Sequence, residues 1–359
     1  ASFGRGFFVL DDYSALREMT KENLSKKGKL FKPRDAKLFK PRNSLGNTGG
    51  QFYVAKNPEY GAVFTYHLKD MPKTSKSIRI QSEKKLNSDK KDVPFPGYDA
   101  LSDEMNEKPA SIILTVTDSE GNHIRNVKKN ASNGSGRIAW DLRHKSYYPV
   151  RAGRAQSNWW WNPSGPYVTP GQYTANLYLE NNGSVEKLDG PVEFNVKPLR
   201  AGTLKGASHE EYNSFRERIT DLYIEMSKYQ DEFNMMENKV QLLEKASMQL
   251  EEFSPDLMKK ISDFKAKYNA FDSETNGNNA RSEIGEWDKV TISTRVQIAM
   301  QGLSTSYGPT ELNKSNLEIA ERLFDQLASD VISFKSELKS LEDEVKELNP
   351  PHLSGTGIN

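Results

Sequence analysis

Residues 212–243 read YNSFRERITDLYIEMSKYQDEFNMMENKVQLL, and the spacing of their apolar side chains decides the fold of the C-terminal half of the chain. These side chains recur at alternating steps of three and four residues, at Tyr212, Phe215, Ile219, Leu222, Met226, Tyr229, Phe233, Met236, Val240 and Leu243. A sustained period of about 3.5 residues places them on one narrow stripe of a helix, as in coiled coils and antiparallel bundles. A helix of about 45 residues would be roughly 65 Å long.

A second stripe with the same period runs from Leu317 to Leu348 and predicts another long helix. A shorter helix is predicted between the two, because Ser254 is a favourable N-cap and Pro255 suits the first helical turn. The apolar stripe of this shorter helix comprises Leu257, Ile261, Phe264, Tyr268 and Phe271. The C-terminal half is therefore predicted to consist of helices that pack along their apolar stripes.

We predict that residues 206–349 form an elongated antiparallel α-helical bundle of three arms, in which the middle arm is broken. The break is expected at residues 272–285, which are rich in Gly and Asn, and a second short helix is expected from about Glu286 to Gly302. These two short helices, placed end to end, match the length of one long arm. Residues 350–359 are expected to form a flexible tail, because two prolines end the last helix.

Residues 62–200 have the pattern of a β domain. Short runs of alternating apolar and polar residues are separated by turn signals such as Pro170-Gly171 and Asn181-Asn-Gly183. Strands are predicted at residues 62–68, 111–117, 124–127, 136–143, 172–179 and 192–196, with a polar, lysine-rich insertion from residue 69 to about residue 108. Short strands with regular turns are typical of an antiparallel β-sandwich.

The N-terminal residues predict a strand without a partner. Phe7-Phe-Val-Leu10 is an apolar run of the length of a buried strand, and a lone strand cannot satisfy its own backbone hydrogen bonds. We therefore expect residues 1–12 to be the last strand of a domain outside this sequence.

Residues 13–61 are predicted to be an extended connector. Leu30-Phe-Lys-Pro-Arg34 and Leu38-Phe-Lys-Pro-Arg42 repeat at a spacing of eight, and each proline favours extended backbone before it. Phe31 and Phe39 are the expected anchors on an underlying surface. Nine basic residues stand against two acidic ones between Lys21 and Arg42. They indicate either a polyanion patch or a solvated linker, and the linker is favoured because no nucleic-acid motif accompanies them.

Composition excludes several classes of function. The net charge of +1 gives no general attraction to nucleic acid, and the absence of Cys excludes disulfides and zinc–thiolate sites. No apolar run is long enough to predict a transmembrane segment. The five His residues are dispersed without metal-ligand spacing, and phosphate-loop and nucleophile-elbow motifs are missing. We expect no catalytic residue, cofactor, metal ion or nucleic acid for this chain.

Trp159, Trp160 and Trp161 form the most informative local feature, within the loop from Ser157 to Pro166. Exposed aromatic rings stack on sugars or anchor a protein partner. Three interpretations stay open: the rings pack against another part of the protein, they contact a partner protein, or they bind a glycan. Packing is favoured, because three exposed tryptophans are costly without a partner.

Two carboxylate patterns favour structural roles. Asp11 and Asp12 are adjacent, so along a strand they point to opposite faces and cannot act together on one substrate. A turn with hydrogen bonds to the backbone is expected there. Trp140 is expected in the core, with an ion pair between Asp141 and Arg143 on the opposite face.

The chain resembles the C-terminal region of exported bacterial proteins that carry a sortilin-like, BNR-repeat β-propeller, common in Bacteroidetes and often labelled glycosyl hydrolases. The segments that carry the resemblance are Gly4–Asp12, Leu30–Asp35, Asn57–Tyr66, Ser77–Arg79, Asp118–Gly121, Arg137–Arg143, Gly165–Pro166, Pro170–Tyr173 and Gly308–Thr310. They lie in order along nearly the whole chain.

The resemblance implies that residues 1–12 end the last propeller blade and that residues 62–200 form an Ig-like sandwich of the flagellar hook-capping (FlgD-like) type. It also implies export to the periplasm or cell surface. No catalytic residue carries over to this chain, because the presumed hydrolase site would lie on the propeller.

The expected function is a non-catalytic structural and interaction region that braces the propeller and contacts other protein subunits. Two alternatives stay open. The chain could be the C-terminal part of a glycan-acting propeller hydrolase whose site lies outside it. The sandwich could instead be a carbohydrate-binding module that uses the Trp159–Trp161 loop.

Overall fold

A computed structural model describes residues 10, 12–41, 57–150 and 164–351 of the chain, apart from the side chains of residues 274 and 279. The chain divides into two compact units. The first, called the β unit, comprises residues 1–145 and 164–203, and the second, called the helical unit, comprises residues 146–163 and 204–359. The mixture of helices with two β-sheets agrees with the predicted multidomain α+β class.

The β unit contains short helices as well as strands. In chain order these elements are α1 (Ser14–Glu18), α2 (Lys21–Ser25), β1 (Gly28–Leu30), β2 (Ala36–Leu38), β3 (Ala62–Leu68), α3 (Ser75–Ser88), α4 (Tyr98–Asn106), β4 (Ser111–Asp118), β5 (His123–Asn130), β6 (Gly134–Trp140), β7 (Gly171–Asn181) and β8 (Ser184–Pro198).

Two sheets share the core of the β unit. The first has the strand order β1-β3-β6 and is antiparallel, and the second has the order β2-β8-β7-β4-β5, in which only β2 runs parallel to its neighbour. Side chains from both sheets form one buried cluster. The ring of Phe194 on β8 packs edge-on against Phe64 of β3, at 5.1 Å, and against Trp140 of β6, at 6.0 Å.

Each of the six strands predicted for residues 62–200 is present, β3 with the predicted bounds and the other five with changes at their ends. β6 ends at Trp140 rather than at residue 143, because Leu142 has a φ of +58° and the strand alternation stops there. β8 begins at Ser184, eight residues before the predicted start. A glycine is required before β3, since a Cβ on Gly61 would lie 1.9 Å from the carbonyl oxygen of Trp140.

The segment predicted as an extended connector adds a strand to each sheet. β1 pairs with β3, with Gly28 opposite Leu68, and β2 pairs with β8. Leu30 and Phe31 are fully buried, and the backbone N–H of Phe31 donates to Thr65 O. Residues 28–38 are therefore part of the folded β unit rather than an extended connector that lies on its surface.

The lysine-rich insertion between β3 and β4 forms the two helices α3 and α4, which the sequence pattern did not predict. Neither helix contains a buried residue, and the structure describes every residue of both. They are joined by charged side chains, with Arg79 of α3 donating to both carboxylate oxygens of Glu104 at 2.7 Å.

The helical unit contains α5 (His209–Ser247), α6 (Pro255–Asn276), α7 (Asn279–Glu283), α8 (Ile292–Gln301) and α9 (Glu311–Glu347), with a 3₁₀ turn at Gly302–Ser304. Side-chain oxygens cap the N-termini of the four longer helices, at Ser208, Ser254, Thr291 and Thr310. These caps satisfy backbone donors that the first helical turn leaves free.

Two apolar clusters hold these helices together. One is built from α5, α6 and α9, and the other from α5, α8 and α9. The predicted break at 272–285 is partly wrong, because α6 continues to Asn276 and α7 lies inside the break. The next helix begins at Ile292 rather than near Glu286, since Thr291 supplies its cap. Among the helices that the structure describes, none is long and apolar enough to cross a membrane.

Candidate interaction surface

The three-stranded sheet of the β unit has one face in the core and one face outward. Ala62, Phe64 and Tyr66 of β3 point into the core, so Val63 and Thr65 point outward. Thr65 lies opposite Arg137 of β6 in the register of this antiparallel pair. Two depressions over the outward face, of about 290 and about 750 Å³, share Asp12, Thr65 and Arg137 in their linings. We call the combined depression the outer groove.

One end of the outer groove is apolar and exposed. Leu10, Tyr13 and Leu16 are each more than half exposed, while Ala15, which precedes Leu16 in α1, is buried. Leu10 and Leu16 line the smaller depression together with Met19. We call these four side chains, Leu10, Tyr13, Leu16 and Met19, the α1 face.

Asp12 sets the position of α1. Its Oδ1 accepts hydrogen bonds from the backbone N–H and the hydroxyl of Ser14, at 2.9 and 2.7 Å, and its Oδ2 pairs with Arg34 Nε at 3.5 Å. Burial raises the pKa of Asp12, but the bonds from Ser14 and the charges of Arg34 and Arg137 outweigh it, so the pKa lies below its ordinary value. Asp12 is therefore a charged helix anchor, in agreement with the turn predicted for it.

The other end of the outer groove is aromatic. The rings of Phe39 and Tyr60 meet edge-on at 4.9 Å, and the hydroxyl of Tyr60 donates to the carbonyl oxygen of Phe39 at 2.6 Å. Burial raises the pKa of Tyr60 to about 12, so the hydroxyl is a neutral donor at physiological pH. Nearby, the guanidinium of Arg143 lies over the ring of Tyr167, 3.8 Å from its centroid.

Three of the nine basic side chains of residues 21–42 pair with acidic groups elsewhere in the β unit. Lys29 pairs with Asp189 of β8 at 2.9 Å, and Lys27 pairs with Glu186 of the same strand. Arg34 pairs with Asp12. These three ion pairs argue against a polyanion patch at their positions, because the positive charges of Lys27, Lys29 and Arg34 already have acidic partners.

The two predicted anchors differ. Phe31 is fully buried, as an anchor should be, whereas Phe39 is 41% exposed and forms part of the groove wall. Trp159, Trp160 and Trp161 lie outside the described residues, as does Asp11. At the start of the segment that precedes these tryptophans, the rings of Tyr147 and Tyr148 pack edge-on against Tyr223 of α5, at 5.1 and 5.3 Å.

The predicted ion pair between Asp141 and Arg143 is wrong. The positive φ of Leu142 breaks the alternation that would place the two side chains on one face. Arg143 instead stacks on Tyr167 and donates to the carbonyl oxygen of Gly165 at 2.9 Å. Trp140 is fully buried, as predicted, and its indole N–H donates to Arg143 O.

Several groove residues were not singled out from the sequence. Thr65 and Val63 could have been found, because they alternate with the buried residues of β3. Tyr60 and the α1 face could not, since they come together only when the connector folds onto the sheet.

Across the described ranges, His, Asp and Glu side chains form no group of three or more that could hold a metal ion. An apolar face beside paired charges is suited to protein contact.

Comparisons of the chain with protein-family models, with curated proteins and with solved structures found no match.

Proposed function

We propose that this chain is a structural and interaction region of a larger exported protein, where it braces a β-propeller and contacts other subunits of a periplasmic or surface complex. The observation that carries the proposal is the α1 face, which exposes three large apolar side chains directly after the segment expected to leave the propeller. A domain that precedes residue 10 would lie beside this face and cover it.

Energetics support a covered α1 face. Burial of a large apolar side chain is worth about 1.5–3 kcal/mol, so Leu10, Tyr13 and Leu16 could together contribute several kcal/mol to docking. Asp12 and Arg137 lie where the two depressions of the groove meet, and Arg34 lines the larger one. These charged side chains would orient the docked domain through charged hydrogen bonds.

The finer architecture belongs to the same proposal. The two sheets would form an Ig-like sandwich, which is supported by their shared core between Phe64 and Phe194. The helices would form an elongated antiparallel bundle, which is supported by the clusters that join α5 and α9 to the helices between them. Both parts would act as rigid supports rather than as catalysts.

The test is site-specific photo-crosslinking in the native protein, with a photoreactive phenylalanine analogue at Leu16. We expect the main crosslinks from this position to map to the β-propeller region of the same protein or complex. The matched control is Ile332 on α9, which is similarly exposed and should not give these crosslinks. Equal crosslinking from both positions, or a native complex whose mass contains no propeller, would contradict the proposal.

A further inference from the structure

The insertion formed by α3 and α4 has almost no apolar core of its own. The two helices are held together by polar contacts. Arg79 of α3 pairs with Glu104 of α4. Glu107, which follows α4, accepts hydrogen bonds from the backbone N–H and the hydroxyl of Ser75, at 2.6 and 2.7 Å. Helices of this length are marginal in water without tertiary packing. We call the two helices and their connection, residues 75–106, the insertion hairpin.

The insertion hairpin presents an exposed apolar stripe on α4. Tyr98 is 82% exposed and Met105 is 86% exposed. They are seven residues apart, so they lie on one face of the helix. Phe95, also largely exposed, extends the stripe through an edge contact with Tyr98 at 5.1 Å. Ile78 is exposed on α3 and lies two turns from Lys85 on the same side of that helix.

The two helices carry opposite charges. The sequence of α3 contains four basic residues and one acidic residue, whereas α4 contains three acidic residues and no basic one. Arg79 is used inside the hairpin by Glu83 and Glu104. Within the described part of the chain, the ion pairs of α3 and α4 involve Arg79, Glu83 and Glu104, and Lys84, Lys85, Asp99 and Asp103 form none. The hairpin thus exposes a basic surface and an acidic one that complement each other.

We propose that the insertion hairpin binds a second copy of this chain, with α3 of each copy against α4 of the other. A two-fold arrangement forms each contact twice, so Lys84 and Lys85 face Asp99 and Asp103 at both ends of the interface. The Tyr98 and Met105 stripe is covered at the centre. The charges favour the arrangement in which α3 of one copy meets α4 of the other. The alternative, with α3 against α3 and α4 against α4, places like charges together.

The size of the hairpin sets the strength of this dimer. The 14 residues of α3 span about 21 Å, so the face buries on the order of 400 Å² per copy. A standard stable interface buries about 800 Å² per partner. The dimer is therefore weak, forms at high protein concentration and weakens as salt screens its exposed charges.

The test uses two charge-reversed forms of the whole chain in sedimentation velocity runs at low salt. One form carries Lys84→Glu and Lys85→Glu, so its hairpin is acidic on both helices. The other carries Asp99→Lys and Asp103→Lys, so its hairpin is basic on both. We expect each form alone to self-associate at least tenfold more weakly than the natural chain. An equal mixture of the two should associate again, because every α3–α4 contact is then between opposite charges.

Two further variants separate this interface from others. Met105→Ser should weaken the association, whereas Ile332→Ser, at an exposed apolar residue of α9, should leave it unchanged. Circular dichroism of each variant checks that the fold is kept, and all substituted side chains are exposed. The proposal is overturned if the natural chain stays monomeric up to about 1 mM, if either charge-reversed form associates like the natural chain, or if their mixture stays monomeric.

Discussion

Asp189 ties β1 to β8 through its carboxylate. Its Oδ2 accepts the backbone N–H of Leu30 at 2.8 Å and pairs with Lys29 Nζ at 2.9 Å. Burial raises the pKa of Asp189, but the bonds from Lys29 and from the backbone of Leu30 and Gly190 outweigh it, so the pKa is lowered. The ionised carboxylate therefore favours the folded position of the connector.

We predict that Asp189→Asn destabilises the attachment of β1 by about 1 kcal/mol, because a neutral acceptor gives weaker hydrogen bonds than a carboxylate. Amide hydrogen exchange at Leu30 should be several-fold faster in the variant. The matched control is Glu186→Gln, since the ion pair of Glu186 with Lys27 is exposed and is worth little. An equal effect of the two substitutions would show that Asp189 has no special role.

The same substitution has a defined pH dependence. The folded pKa of Asp189 lies below the unfolded value of about 3.9. The stability that its ionised carboxylate gives to the β1 attachment is therefore fully present above about pH 3.9. It is lost as the pH falls through the folded pKa. The difference in exchange between the natural chain and Asp189→Asn should therefore vanish on acidification and be constant at neutral pH.

Phe31 and Phe39 occupy equivalent positions in the repeated sequence but have different surroundings. Phe31→Ala should cost about 3–5 kcal/mol, because it leaves a cavity in a buried site. Phe39→Ala should cost about 1 kcal/mol, since the ring is partly exposed and loses mainly its edge contact with Tyr60. Urea unfolding of the β unit measures both. Equal losses would mean that the two repeats anchor the connector equally.

At the scale of elements, alternation and helical periodicity identified the long segments. β3 and β7 were predictable because their apolar residues alternate over seven or more positions. β1 and β2 were not, since each has three residues and is a strand only through its partner. The pairing of β1 with β3 joins residues that are about forty positions apart, and no local pattern contains that information.

The insertion hairpin shows the same limit for helices. α3 and α4 were missed because their side chains form no buried apolar stripe, and ion pairs such as Arg79 with Glu104 depend on the folded geometry. The start of α8 was a different error. Thr291 is followed three residues later by Thr294, whose backbone N–H it caps, and this N-cap signal was available in the sequence.

The candidate surface was the least predictable feature. The sequence pattern predicted a candidate contact site at Trp159, Trp160 and Trp161, which lie outside the described residues. The outer groove instead depends on α1, the connector and β3 meeting over one face of a sheet. An exposed leucine such as Leu16 is ordinary in a sequence and becomes informative only when its exposed neighbours in space are known.

At the scale of the whole molecule, the apolar cores follow the two units. The cluster around Phe64 and Trp140 draws only on the β unit, and the two clusters along α5 and α9 draw only on the helical unit. This division concerns the part of the chain that the structure describes. Since cooperativity in unfolding comes from shared burial, each unit is expected to unfold as its own cooperative transition.

Matched substitutions test this independence. Leu114 on β4 and Leu243 on α5 are both completely buried, one in each unit. Either Leu→Ala change should cost about 2–5 kcal/mol and lower the unfolding midpoint of its own unit by about 5–15 °C. Hydrogen exchange measured by mass spectrometry during thermal unfolding follows peptides of each unit separately. We expect Leu114→Ala to leave the helical peptides unchanged and Leu243→Ala to leave the strand peptides unchanged, whereas a common shift would show one shared transition.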